Sequence, residues 1–404
     1  VYGGTPAGVA AAIAAARGGR NAVLVSFNRH VGGLTSGGLT ATDLGNEAAI
    51  GGFAREFYAT LGRNTGFSSA AAEETFRRLL ADAGVTVVLE TRLTGVRMAG
   101  PRIEHLEFED GGTASARYFI DATYEGDLFA AAGCTYRVGR EPVAEFDESY
   151  NGMHVRDEQQ FVIDVDPFVT LGDPGSGLLP EISREPAPVR RGLSVPLPEL
   201  YRLRESIFRD HVSYQQGLLY FLAHDPAVPQ SIRDRMAGWG LDPKEFAATG
   251  HWPHQLYVRE ARRLVGEYVM TEHECLGRRQ APGAVGLAAY NMDSHNCQRV
   301  AIVTGERAVV RNEGDVQVRC PRPYPIAYRS LTPRRSECEN LLVPVCLSAT
   351  HIAYGSIRME PVFMILGQSA GIAASLAIPD GRAVQDVAYN ALRLRLLDAR
   401  QVLE

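Results

Sequence analysis

The sequence predicts an α/β fold interrupted by an insertion, and three observations predict it. The chain opens on a glycine turn that runs into an Ala-rich helix. Short apolar runs recur at 22–25, 118–121 and 341–345, with the length and composition of buried parallel strands. Between about 140 and 335 the texture changes, as prolines, aromatics, His and Arg replace the alternation of short strands and small-residue helices. The expected layout is therefore a nucleotide-binding part over 1–140, an inserted α+β substrate domain over 141–335, and a return to the first domain over 336–404.

The opening reads Val1-Tyr2-Gly3-Gly4-Thr5-Pro6-Ala7-Gly8. Backbone N–H groups at a helix N-terminus are unpaired and carry partial positive charge, so a pyrophosphate fits there. Gly3 permits the turn, and Gly8 lets the helix lie close on its strand. Thr5 stands where the general fingerprint has its middle glycine, so the match is weak in isolation. A strand runs to about five residues, and only Val1 and Tyr2 precede the turn. The strand is expected to begin upstream of Val1, where a removed leader would also lie.

A helix over 7–17 and a strand over 22–25 complete a βαβ start. An acid that binds a ribose is expected at the end of that strand. Ser26 is there instead, with Phe27 and Arg29 after it. Next come Val31-Gly32-Gly33-Leu34-Thr35-Ser36-Gly37-Gly38. Two glycine pairs this close suggest backbone laid against a flat ligand, against the blander reading of a flexible surface loop. Helices are expected over 51–61 and 71–83, and a strand over 85–90. A small meander over 92–97, 103–109 and 113–118 would turn at Gly111-Gly112. The run 118–121 is then a buried strand leading to Ala122-Thr123.

Pro180, Pro186, Pro188, Pro196 and Pro198 mark an irregular stretch. Helices are expected over 206–223 and 231–239. After the strand at 341–345, residues 346–360 read as a polar loop. Pro361, well suited to a first helical turn, starts an apolar helix rich in small residues.

Composition limits the function. The 404 residues are 45% hydrophobic and 22% charged, with a net charge of −6, ordinary for a globular protein and without the basic surface that nucleic acid requires. Lys244 is the sole lysine among 41 cationic residues, which reads as genome bias and not as a phosphate-binding design. No apolar run approaches the roughly 20 residues of a membrane span. The cysteines show no CxxC spacing, so no disulfide framework or zinc knuckle is indicated. The expected setting is a reducing, cytoplasmic one. The expected partner is a small-molecule substrate, with homo-oligomerisation left open.

The glycine turn, His30 to Gly38 with Thr42-Asp43-Leu44-Gly45-Asn46, the strand and loop at 119–128, and the long stretch at 340–374 together resemble a family of FAD-dependent oxidoreductases with a G-G-T-P-A-G opening. Some of its members bear the label xanthan lyase. Stretches at 250–272, 293–296 and 312–316 extend the resemblance over nearly the whole chain. In this family Thr5 is expected, whereas Ser26 departs from the usual Glu, and the region around 188–200 is shorter than in relatives. The resemblance implies a Rossmann-type FAD domain of the glutathione-reductase and fumarate-reductase kind. The implied FAD contacts are as follows: Gly3 to Gly8 hold the pyrophosphate, Ser26 and Arg29 meet the adenosine ribose, Gly32 to Gly38 pass the isoalloxazine, and Ala122-Thr123 close over the middle. The helix at Pro361 would aim its N-terminus at the flavin, where a helix dipole stabilises the anionic reduced ring. Phe27, Leu93, Asp127, Met359 and Val362 complete the implied cofactor set.

Three clusters compete for the chemistry. His351, Tyr354 and Arg358 immediately precede the flavin-facing helix. His351 suits a general base and Arg358 an anion clamp; the bland alternative is a structural loop. His254 and Arg259 come from His251-Trp252-Pro253-His254 and the charged run with Glu260, Arg262 and Arg263, which also reads as a buried ion network. His273 and Cys275, two apart on an expected strand, would share a face with each other. With His295 and Cys297 they could form a metal site, but the spacing is not a standard zinc pattern and no metal is assigned. The leading expectation is hydride transfer between a small polar, sugar-like or anionic substrate and flavin N5. A flavoprotein lyase or isomerase without net redox, and a binding protein with weakened FAD retention, stay open.

Overall fold

The structure, a computed structural model, describes residues 1–157, 160, 197–296, 298–304 and 307–404. Tyr2 occupies the middle of a parallel sheet, bridging Val25 on one side and Asp121 on the other. Val23–Val25 pairs onward with Thr86–Val88, and Phe119–Ile120 pairs with Leu341–Leu342, both in parallel. The spatial order is thus 86–88, 23–25, Tyr2, 119–120, 341–342. The chain builds outward from Tyr2 first to one side and then to the other. Where the order reverses, the loops leaving adjacent strands part and a crevice opens at their carboxyl ends. The junction is held by short backbone bonds, from Gly3 N to Val25 O at 2.8 Å and from Ala122 N to Tyr2 O at 2.8 Å.

Two buried helices lie together beside this sheet. Pro6–Arg17 begins with Pro in its first turn, and Glu360–Ala377 does likewise. A Cβ on Gly367 would overlap the Ala7 carbonyl, and one on Gly371 would overlap that of Ala11. The glycines therefore let the two backbones touch. The contacts advance together along both helices, so the helices run parallel and their N-termini open at the same end. By length and composition Glu360–Ala377 could cross a bilayer, but 89% of it is buried inside the protein; it is a core helix.

The meander forms as expected, with Leu93–Ala99, Arg102–Phe108 and Thr113–Ser115 antiparallel. Gly111 at φ +80° makes its turn. The later part is antiparallel: Tyr136–Val138 with Arg262–Leu264, Ala284–Ala288 with Tyr324–Ala327, Met292–Ser294 with Val316–Val318, and Arg299–Thr304 with Arg307–Asn312. The helices Leu197–His224 and Gln230–Ala237 match the two expected there, the first starting earlier because Pro198 is tolerated in an opening turn.

Two expectations are corrected. The supposed polar loop at 346–360 contains the helix His351–Ile357, capped by Thr350, whose side chain accepts from Ala353 N. Its Gly and β-branched residues are poor helix formers, but every one of its residues is buried, so packing overrides propensity. His273 and Cys275 lie on the helical turn Glu272–Cys275, so their i, i+2 spacing separates them. The proline-rich run from 180 to 196 and Cys297 lie outside the described residues.

Candidate functional site

The Gly3–Gly8 turn forms a cradle in which side chains are excluded. Gly3 sits at φ +110°, and a Cβ there would come within 2.6 Å of the Ala122 carbonyl. A Cβ on Gly8 would overlap the Gly3 oxygen, and one on Gly4 would lie 2.8 Å from Ser26 Oγ. Thr5 earns its place twice: its hydroxyl donates to Ala122 O at 2.7 Å and accepts from Gly8 N at 3.3 Å, capping the helix. A cleft runs from Gly3, Gly4 and Thr5 past Phe27 and Asn28 to Thr123 and Tyr124, with Gly33 and Gln255 also on its walls. Pro6 and Ala7 follow Thr5 as the first helical residues.

The second glycine run has a different reason from the one expected. A Cβ on Gly32 would meet the Phe76 ring, one on Gly33 the Tyr124 hydroxyl, one on Gly37 the Gln255 side chain and one on Gly38 the Pro253 ring. The glycines here admit protein side chains. Between them Leu34 N donates to Tyr124 Oη at 2.9 Å, Ser36 Oγ donates to Val31 O at 2.6 Å, and Thr35 Oγ1 donates to Glu360 Oε2 at 3.3 Å.

Ser26 is buried, and its hydroxyl accepts from Asn28 N at 3.2 Å. Arg29 pairs with Glu90 at 2.8 Å. Glu90 was missed in the sequence. The register Val25 to Val88 carries it alongside Ser26, and its left-handed φ of +54° is uncommon for a residue with a side chain. A carboxylate therefore stands beside the position where Ser26 lacks one. Asp127, expected at the cofactor, differs: its oxygens are taken by Arg204 at 2.6 and 2.9 Å and by Arg262 at 3.0 Å, in a buried cluster. Thr123 Oγ1 is also engaged within its own turn, with Asp121 at 2.7 Å and Gly126 N at 2.9 Å. Leu93 N donates to Tyr2 Oη at 2.9 Å.

The second centre is made of charge. Arg263 is fully buried and donates to Glu141 at 2.6 Å, to Ala349 O at 2.6 Å and to Glu260 Oε1 at 2.8 Å. Glu260 Oε2 lies 2.8 Å from His351 Nδ1, a close contact without the alignment of a hydrogen bond. The other ring nitrogen, Nε2, lies 2.7 Å from Ser294 Oγ. Arg140 Nη2 donates to the same hydroxyl at 2.8 Å. Burial pushes the Glu260 carboxyl up, but His351, Arg263 and Arg358 outweigh it and bring the pKa to about 2. Arg358 donates to Asp293 O at 2.8 Å, and its guanidinium and that of Arg259 both stand 3.7 Å from Asp293 Oδ2.

Of the residues proposed for chemistry, His351, Arg358 and Arg259 thus belong to one neighbourhood. His254 instead stacks on His30 at 3.8 Å, and burial together with His30 lowers its pKa to about 4. Tyr354 is buried in the core with Met359 and Val362. Ser294 and Glu260 complete the His351 line; the sequence marks Glu260 for a buried ion network, which it joins through Arg263, but not the meeting of either residue with His351, because the three come from segments far apart in the chain.

The model of the FAD dependent oxidoreductase family matches residues 1–175 and 194–396. The chain belongs to this family. Its structure is mixed α/β, and the cofactor of the family is FAD. Solved structures that resemble this flavoprotein include Thermovibrio ammonificans THI4, at 21% identity over 35% of this chain and 65% of that one, TM-score 0.27. Another is P. aeruginosa PqsL in complex with 2-aminobenzoylacetate, at 16% identity over 35% of this chain and 46% of that one, TM-score 0.26. A third is OTEMO with FAD and NADP, at 16% identity over 30% and 24%, TM-score 0.23. The chain thus spans less than two thirds of each of these proteins. No curated protein matches it. The residues present fit the cofactor: Gly3, Gly4 and Thr5 wall the cleft at the capped N-terminus of Pro6–Arg17, where a pyrophosphate site belongs.

Proposed function

We propose that this protein oxidises or reduces a small polar substrate, sugar-like or anionic, by hydride transfer at flavin N5. The glycine opening supports placement in the G-G-T-P-A-G group and an FAD domain of the glutathione-reductase and fumarate-reductase kind. In this reading the turn at Gly3 to Gly8 holds the pyrophosphate, and the N-terminus of the helix Glu360–Ala377 faces the ring. When bound, FAD supplies the two-electron chemistry.

The observation that carries the proposal is the line from Glu260 through His351 to Ser294 beside Arg259, Arg358 and Asp293. Glu260 stays ionised and fixes the imidazole, as an orienting carboxylate does for a histidine base. Because Nδ1 faces Glu260 and Nε2 faces Ser294, His351 takes a substrate proton through the Ser294 hydroxyl. Arg259 and Arg358 position an anionic or polyhydroxyl group, with Asp293 offsetting part of their charge. Such a base contributes about 10²–10⁴ in rate.

The test is anaerobic. The purified holoprotein is mixed with a panel of polyols, sugar acids and 2-hydroxy acids, and flavin absorbance is followed. Bleaching by a member of the panel, slowed about 10²-fold or more by His351→Ala, is expected. Product formation without bleaching identifies a lyase or isomerase instead. A colourless protein that takes up no added FAD would reduce the fold to a binding module.

A further inference from the structure

Glu360 is a buried acid that the hydride reading does not use. It opens the helix Glu360–Ala377 and is 5% exposed. Tyr124 Oη donates to its Oε1 at 2.8 Å and Thr35 Oγ1 donates to its Oε2 at 3.3 Å. Both donors belong to segments that wall the cleft, since Tyr124 and Gly33 line it together with Gly3 to Thr5. None of the ion pairs among the described residues includes Glu360. The titratable groups facing it are the phenols of Tyr124 and, from the helix Gly52–Leu61, Tyr58. Burial pushes its carboxyl up to about 8, with the two hydroxyl bonds only partly offsetting this.

A carboxyl held between two hydroxyls and no cation is sensitive to any charge that arrives nearby. A second negative charge at this helix N-terminus repels the carboxylate through a medium that screens poorly. The helix dipole relieves only part of that. We propose that Glu360 is a redox-linked proton acceptor, its carboxylate taking one proton from solvent when the bound FAD receives two electrons. The balance is simple: two electrons and one proton go to the cofactor, a second proton forms the Glu360 O–H bond, and no other bond breaks. The inference rests on the placement of FAD proposed above, with its ring at the N-terminus of this helix.

The linkage sets the pH window. Below about pH 8 the carboxyl is already protonated before reduction, so reduction takes up only the cofactor's own proton. Above it, Glu360 is a carboxylate before reduction and an acid after. For a two-electron couple a tenfold change in an equilibrium constant is about 30 mV. One proton per reduction therefore gives about 30 mV per pH unit, and two give about 59 mV.

The experiment is a dithionite titration of the wild-type holoprotein against reference dyes from pH 7 to 9.5. The expected midpoint potential falls by about 30 mV per unit below pH 8 and by up to about 59 mV per unit above it. Glu360→Gln stays near 30 mV throughout. Tyr124→Phe removes a donor that favours the carboxylate and moves the break to higher pH. A straight wild-type line at 30 mV, or an unchanged break in Glu360→Gln, overturns the proposal. The wild-type line alone can do so, whether or not the variants fold. Dithionite replaces substrate, so failure here is distinct from failure of the hydride reading. A wild-type protein that holds no FAD overturns both.

Discussion

In the pyrophosphate site proposed at the Gly3–Gly8 turn the working groups are backbone amides, and side chains matter by their absence. Around His351 every working group is a side chain, and almost all of them are charged. The first site rests on a helix N-terminus and a left-handed glycine, both supplied within eight consecutive residues. The second needs Glu141, Glu260, Ser294 and His351 brought from four parts of the chain. A local backbone site tolerates changes in distant packing but not an added methyl group. A dispersed ionic site tolerates little loss of any partner, because each charge is buried against another.

Gly8→Val breaks the comparison most severely at the backbone end. Its Cβ would occupy the Gly3 carbonyl position, and neither backbone can yield without opening the turn. The expected cost is about 3 kcal/mol or more of stability, together with loss of bound flavin. Thermal melting and the flavin absorbance left after desalting read the two effects. A variant that melts like wild type and keeps its colour would show that the turn is not a cradle.

Glu260→Gln tests the other end. It strips His351 and Arg263 of a shared carboxylate; Arg263 keeps Glu141, so the expected cost lies below the about 3–5 kcal/mol of a buried charge left wholly unpaired. Flavin content should remain full, because nothing in the cradle touches Glu260. The pH dependence has a definite sign. Glu260 is depressed from 4.5 to about 2 in the folded protein, so its stabilisation is complete above the unfolded carboxyl pKa and is lost as pH falls from about 4.5 toward 2. Melting temperatures of the variant should show less acid loss than wild type over that window.

The same contrast explains what was legible in the sequence. The glycine turn at Gly3, the meander turn at Gly111 and the Pro361 helix declare themselves through residues whose backbone demands are local. The helix His351–Ile357 did not, because Gly355 and the β-branched residues argue against it and only burial and the Thr350 cap form it. Gly32, Gly33, Gly37 and Gly38 were legible as close approach, but not as approach by Phe76, Tyr124, Gln255 and Pro253. Asp127 looked available until Arg204 and Arg262, from far along the chain, were folded onto it. Glu90 was invisible for the converse reason: only the strand register places it beside Ser26.

Arg29→Ala should have the smallest effect on stability, and for that reason it sharpens the comparison best. Arg29 and Glu90 form an ion pair whose side chains are 63% and 61% exposed. Pairs so open to water and salt are worth about 0.2–1 kcal/mol, so the melting temperature should hardly move. If Arg29 meets the adenosine ribose, FAD affinity will fall by more than this stability change can account for, and the loss will shrink at high salt. Glu90→Gln then separates two origins of that loss. A carboxylate that stands in for the acid missing at Ser26 weakens FAD when neutralised. One that merely holds Arg29 leaves affinity near wild type, because an exposed arginine keeps its charge and its reach without a partner. Fluorescence titration of the apoprotein with FAD measures both variants. Equal affinities for wild type, Arg29→Ala and Glu90→Gln would mean that the backbone cradle alone holds the dinucleotide.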